Sequence, residues 1–231
     1  MDRIRANVSQ LFDELVHLRG PGWRDGLTVV AVSKTVGVDE VRAAAAAGLT
    51  DFGENRVQEL IRKVEALPDL PVRWHMIGHL QTNKAKPAVA HAGIIHSVDS
   101  LKLALEVDAR ARGRAPYPVL LEVNVAGEDS KGGLAPAEVE PLLDELARRD
   151  GEQPLAIEVA GLMTMAPYTE DEGVLRRTFR GLAELRARVA ARASRWLKPV
   201  QLSMGMSNDY RIAIEEGATM VRIGTRLFGG R

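Results

Sequence analysis

The sequence contains no cysteine. That absence excludes disulfides, a thiol nucleophile and any cysteine-ligated metal site, and it fits a reducing compartment. An excess of one charge is also missing, because 31 basic residues balance 31 acidic ones. Nucleic acid is therefore disfavoured as a main partner, since phosphate backbones are met by surplus Lys and Arg. No stretch approaches the roughly 18 apolar residues that span a bilayer. The first ten residues are charged and lack the apolar core of a signal peptide. A cytoplasmic protein with no membrane or nucleic-acid partner is expected. Long polar or biased runs are absent too. The 231 residues, 45% hydrophobic and 27% charged, suit a globular chain with a substantial core.

What is present is alternation. Residues 2–19 carry Ile4, Val8, Leu11, Phe12, Leu15 and Leu18 at helical spacing. Strand-like apolar runs then occur at Thr28–Ser33, Leu49–Phe52, Arg73–Ile77, Ile94–Val98, Val119–Val125, Ile157–Met163, Val200–Met204 and Met220–Ile223. Helical patterns separate them at Asp39–Ala47, Val57–Leu67, Thr82–His91, Ser100–Arg112, Pro136–Arg149, Glu170–Arg195 and Asn208–Glu216. Strands that alternate with helices imply a parallel sheet, because each parallel connection must cross over. Eight such units predict an α/β protein that is a single (β/α)8 TIM barrel, with an open doubly wound sheet as the alternative. Only seven residues follow Gly224, too few for a full eighth helix, so the extra N-terminal helix is expected to cover that gap. No linker or second core is visible, and 1–231 reads as one domain.

Barrel chemistry sits at the C-terminal strand ends, and there the unusual residues gather. Lys34 follows strand one and shares parity with Val30 and Val32, so it is expected at the top of the barrel interior. Burial would lower its pKa and yield a neutral amine able to attack an aldehyde. Lysine is scarce, with seven among the 31 basic residues. Ser207, Gly224 and Thr225, after strands seven and eight, form a candidate phosphate cradle, with Ser207 as cap of the following short helix. Arg222 shares parity with Gly224 and is expected to point inward. Against a pyridine nitrogen it would donate a hydrogen bond and keep that nitrogen unprotonated. A structural salt bridge, for example to Glu54, is the other reading.

The segments Ala31-Val32-Ser33-Lys34, Phe52-Gly53-Glu54-Asn55-Arg56, Trp74-His75-Met76-Ile77-Gly78-His79-Leu80-Gln81-Thr82-Asn83-Lys84, Gly161-Leu162-Met163-Thr164-Met165, Leu202-Ser203-Met204-Gly205-Met206-Ser207-Asn208-Asp209 and Val221-Arg222-Ile223-Gly224-Thr225 resemble the pyridoxal phosphate homeostasis protein family. The resemblance runs from about residue 28 to the end. It implies the fold of the alanine racemase N-terminal barrel, with pyridoxal 5′-phosphate (PLP) as cofactor. By position, Lys34 would carry PLP as a Schiff base and Arg222 would meet the pyridine nitrogen. Ser203, Ser207, Gly224 and Thr225 would hold the phosphate, and Asn55 would lie near the phenolic oxygen. The family's implied role is vitamin B6 homeostasis without robust turnover, with apo PLP-dependent enzymes and amino or keto acids as further partners.

A compact PLP racemase or transaminase-like enzyme is the alternative, and a Schiff-base aldolase is a third reading. Related racemases take a tyrosine base from a second domain of the partner subunit. The chain ends at Arg231 without such a domain, so a non-catalytic monomer is expected. Tyr117, Tyr168 and Tyr210 fall elsewhere, and Val38 stands where alanine racemase has a tyrosine four residues after its lysine. His75 and His79 flank strand three without an acidic or cysteine ligand set, so no metal site is expected. Glu54 reads as an ion-pair partner of Arg56 or Arg222, and His79 as a rim or structural residue.

Overall fold

The computed structural model describes residues 2–114, 116–128 and 131–229. Met1, Gly230 and Arg231, the ends of the expected 1–231 domain, lie outside these. Eight parallel strands close into a barrel in sequence order. They are β1 (Thr28–Val32), β2 (Asp51–Glu54), β3 (Arg73–Met76), β4 (Ile94–Val98), β5 (Tyr117–Glu122), β6 (Ile157–Met163), β7 (Leu197–Met206) and β8 (Met220–Ile223). β1 closes the ring on β8, with Val30 opposite Arg222. Every predicted strand is found, and the open doubly wound sheet is excluded by that closure.

Helices α2 (Val38–Ala46), α3 (Val57–Ala66), α4 (Ala85–His91), α5 (Leu101–Ala111), α6 (Val139–Glu152), α7 (Glu172–Ala190) and α8 (Tyr210–Glu215) connect successive strands. Local chemistry sets their bounds. Ser100 caps α5 by accepting the Leu103 N–H, and Asp171 caps α7 by accepting that of Val174, so α7 starts two residues later than its pattern suggests. β2 begins at Asp51 instead of Leu49, because the Leu49 N–H is spent on the Ala44 carbonyl as α2 closes. β5 stops at Glu122, since Asn124 folds into a turn whose side chain accepts the Gly127 N–H.

Among the described residues, only a four-residue helix, α9 (Thr225–Phe228), follows β8. The N-terminal helix α1 (Asp2–Arg19) covers the gap, as its apolar face predicts, packing on α9 and α2. Asn7 donates to the Leu227 carbonyl at 2.9 Å. Glu14 of α1 accepts from Tyr210, Arg211 and Arg226, which ties this helix to α8 and α9, the helices after β7 and β8.

Two apolar layers result. The larger lies between barrel and helices and takes Val29, Ala31, Phe52, Trp74 and their outward-facing counterparts. The smaller fills part of the barrel interior with Ile94, Leu120, Met163 and Met220. Alternating residues of one strand thus serve different layers. The interior also holds buried polar side chains, His75, His96, Ser203 and Arg222 among them.

Candidate functional site

The rim residues after β1 form a tight turn. Val36 N–H bonds the Ser33 carbonyl at 2.9 Å, and Thr35 takes φ 63°. A β-branched residue in the left-handed region is strained, and such strain concentrates where a neighbouring side chain must be aimed. That neighbour is Lys34. The expected burial of its ammonium is not found, because Lys34 is exposed at the barrel mouth. The strand ends at Val32, so the backbone has already turned out of the sheet when it reaches Lys34.

Beneath this turn lies a cluster that sequence reasoning missed. Lys63 of α3 donates to Glu54 Oε1 and to the Ser33 carbonyl, each at 2.5 Å. The Ser33 hydroxyl donates to the same Glu54 oxygen at 2.6 Å. Lys63 and Glu54 are 1% and 0% exposed. Glu54 pairs with neither Arg222 nor Arg56 as expected. It follows Gly53 on β2, and Gly53 faces Val30 and Ile77 in the interior, so Glu54 points outward to α3. The available signal was Lys63 in line with Val57 and Leu60 on the buried face of α3.

Arg222 does point into the barrel, 4% exposed. Among the described residues no acidic side chain touches it. Nη1 donates to the Ser203 carbonyl at 2.8 Å and hydroxyl at 2.7 Å, and Nη2 to the Thr164 carbonyl at 2.8 Å. Burial pushes its pKa down to about 10, opposed by the charges of Asp209 and Glu122. The guanidinium is thus still cationic near neutrality. Those contacts use three of its five N–H groups. Two donors remain for an acceptor at the mouth.

The loops after β7 and β8 meet as expected, through a different bond. Ser207 does not cap α8, whose N-cap is Asp209. Its hydroxyl instead accepts the Gly224 N–H at 3.2 Å. Gly205, at φ +89°, lets α8 close on β7, since a Cβ there would come within 2.5 Å of Ala213 Cβ. Thr225 is exposed beside this corner as the first residue of α9. Ser203 is not at the corner: its fully buried hydroxyl is taken up by Arg222 and His96 inside the barrel. Asn55 is exposed on the rim after β2, with its backbone against Gly78, where a Cβ would stand 2.3 Å from the Asn55 carbonyl oxygen.

The two histidines around β3 part company. His79 is exposed on the rim, 3.3 Å from Asp99. His75 is buried in the interior, 2.9 Å from both Asp51 and His96. His96 was not singled out from the sequence, although a histidine at inward parity with Ile94 in a wholly buried strand was the signal. Among the described residues no group of three or more His, Asp or Glu side chains is arranged to hold a metal ion, and no helix is long and apolar enough to cross a membrane.

The family profile described as alanine racemase, N-terminal domain, matches residues 2–231. A pyridoxal phosphate homeostasis protein of Aquifex aeolicus is 45% identical over 204 residues, covering 88% of this chain and 86% of that one. The chain belongs to this family. A second member, the pyridoxal phosphate homeostasis protein of Escherichia coli K12, is 37% identical across 100% of this chain and 98% of its own. PipY of Synechococcus elongatus, another structure of the same kind, has a TM-score of 0.86 at 38% identity without PLP, covering 98% of this chain and 100% of that one. The structure of PipY with PLP bound gives 0.84 at 36% identity over the same shares. Alanine racemase from Streptomyces coelicolor, 23% identical with a TM-score of 0.75, shares the fold, and the family barrel spans 58% of that longer chain.

Proposed function

We propose that this protein binds PLP at the C-terminal rim of the barrel and serves intracellular PLP homeostasis as a carrier or regulator. The observation that carries the reading is Arg222, held inside the barrel on β8, next to the strand that leads to Lys34, with two N–H groups unspent and no carboxylate in contact among the described residues. A cation so placed suits a ring nitrogen that must accept a hydrogen bond and stay unprotonated.

The other residues fit the same group. Lys34 Nζ, at the mouth, would form a Schiff base with the aldehyde carbon, its oxygen leaving as water. The bridged Ser207–Gly224 corner and the Thr225 hydroxyl would receive the phosphate, where barrels commonly hold one. Asn55 is on the rim for the phenolic oxygen. Ser203 contributes through Arg222 instead of meeting the phosphate. PLP supplies an aldehyde and an electron-withdrawing ring; the chain supplies attachment, orientation and a ring nitrogen kept neutral. A neutral ring is a weaker electron sink, and that favours holding over turnover.

The names of the relatives support a homeostatic role in place of catalysis. Residues 1–231 would act as one domain, as a monomer in the cytoplasm, giving PLP to apo PLP-dependent enzymes and meeting amino or keto acids at the mouth. The test is direct. Purified protein incubated with PLP should gain a visible absorption band that Lys34→Ala lacks, and should transfer PLP to an apo-enzyme. Racemisation or amino transfer at steady turnover would overturn the carrier reading.

A further inference from the structure

A buried hydrogen-bonded chain crosses the barrel from its floor to Arg222. Asp51, first residue of β2, stands 18% exposed at the N-terminal end of the barrel. Its Oδ1 is 2.9 Å from His75 Nε2. His75 Nδ1 is 2.9 Å from His96 Nε2, and His96 Nδ1 is 2.9 Å from Ser203 Oγ. Ser203 Oγ is 2.7 Å from Arg222 Nη1. Both imidazoles and the serine are wholly buried. Five side chains from β2, β3, β4, β7 and β8 are joined without a break.

The two ends fix the direction of every bond. A carboxylate only accepts and a guanidinium only donates. His75 therefore carries its proton on Nε2, facing Asp51, which leaves Nδ1 as acceptor. His96 must donate from Nε2 to that nitrogen, so its own Nδ1 accepts the Ser203 hydroxyl proton. Ser203 Oγ then has lone pairs free for Arg222. Burial keeps both imidazoles below their ordinary range, so each is neutral with a single ring proton.

We propose that Asp51 is a positioning residue for Arg222, setting through His75, His96 and Ser203 the one tautomeric order in which Ser203 accepts from the guanidinium. The consequence rests on the PLP reading: of the five joined side chains, Arg222 is the one with N–H groups left to meet a ring nitrogen. Without Asp51, His75 and His96 are free to carry their protons on Nδ1. Ser203 Oγ would then accept from His96 as well as Arg222, and its own hydrogen would lose its acceptor.

The experiment combines long-range 15N–1H NMR of the histidine rings with PLP titration of the wild type, Asp51→Ala, Asp51→Asn and Ser203→Ala. In the wild type without PLP, both His75 and His96 should be neutral Nε2–H tautomers. Asp51→Ala should mix the tautomers, shift the absorption maximum of bound PLP and weaken its retention about tenfold, as expected for one impaired charge-assisted hydrogen bond. Asp51→Asn should restore all three, because its amide oxygen can accept from His75 while its NH2 donates to Thr50 Oγ1, which now bonds Asp51 Oδ2 at 2.7 Å. Ser203→Ala should give the same spectral shift, and adding Asp51→Ala should not enlarge it. An Nδ1–H tautomer at either histidine in the wild type overturns the proposal. So does an Asp51→Ala protein with wild-type spectrum and retention. If Asp51→Ala does not fold, the wild-type tautomers and the double-variant arm replaced by Ser203→Ala with Asp51→Asn decide. Failure of wild-type protein to take up PLP would instead defeat the PLP reading, and the NMR would still judge the relay.

Discussion

Lys63 Nζ and Glu54 Oε1 meet at 2.5 Å directly under the turn that presents Lys34. The pair is sealed from solvent, and the second Glu54 oxygen has no hydrogen-bond partner among the described residues. Removing one member leaves an uncompensated buried charge, whereas replacing both with apolar groups of similar shape removes the problem. Lys63→Met should therefore cost roughly 3–5 kcal/mol in urea unfolding. The double variant Lys63→Met/Glu54→Leu should recover most of that loss. A single variant as stable as the wild type would show that the pair does not hold the turn.

Lys34 itself should be dispensable for folding. Its side chain is exposed at the mouth, and exposed substitutions usually change stability by no more than about 0.5 kcal/mol. Lys34→Ala should unfold at the wild-type urea midpoint without PLP, while failing to gain stability when PLP is added. The wild type should gain stability as PLP is titrated. Equal PLP stabilisation of both proteins would mean that attachment lies elsewhere.

The interior imidazoles make stability depend on pH with a definite sign. Burial is the main cause that lowers the pKa of His75, with Asp51 opposing it, and of His96, where the charges of His75, Arg222 and Arg73 act in the same sense. Unfolded histidines titrate near 6.5. As pH falls below that value the unfolded chain takes up protons that the folded chain refuses, so stability declines. The slope approaches about 1.4 kcal/mol per pH unit for each imidazole. Asp51, held low mainly by the His75 and Thr50 bonds against the effect of burial, loses its contribution only at still lower pH. Urea midpoints between pH 7.5 and 5.5 check this. A flat profile would mean that the two rings accept protons in place.

Gly78 permits the rim after β3 to pack on the backbone of Asn55. A Cβ there would stand 2.3 Å from the Asn55 carbonyl oxygen, and backbone cannot move aside as a side-chain tip can. Gly78→Ala should destabilise the protein by about 1–3 kcal/mol through overpacking and weaken PLP retention through the displaced Asn55 rim. An alanine variant with unchanged stability and retention would show that the rim is adaptable.

The barrel was legible in the sequence because its causes are local. Inward and outward parity, helix caps and glycine stops are each written within a few residues, and they placed all eight strands and the covering role of α1. Arg222 was legible in direction, because parity with Gly224 put it inside. Its partners were not. Which acceptor a buried cation finds depends on which strands stand opposite across the ring, and Thr164, just past β6, and Ser203 of β7 come from positions 58 and 19 residues away. Lys34 was legible as a residue just past β1, but it was expected buried in the interior, and its exposure follows from how the chain turns after Val32, which parity counting cannot carry past a strand end. Glu54, Lys63, Ser203, His75 and His96 found their roles only when closure of the barrel fixed which side chains share a dry space. There every donor must find an acceptor, and the tertiary structure alone decides which one is near.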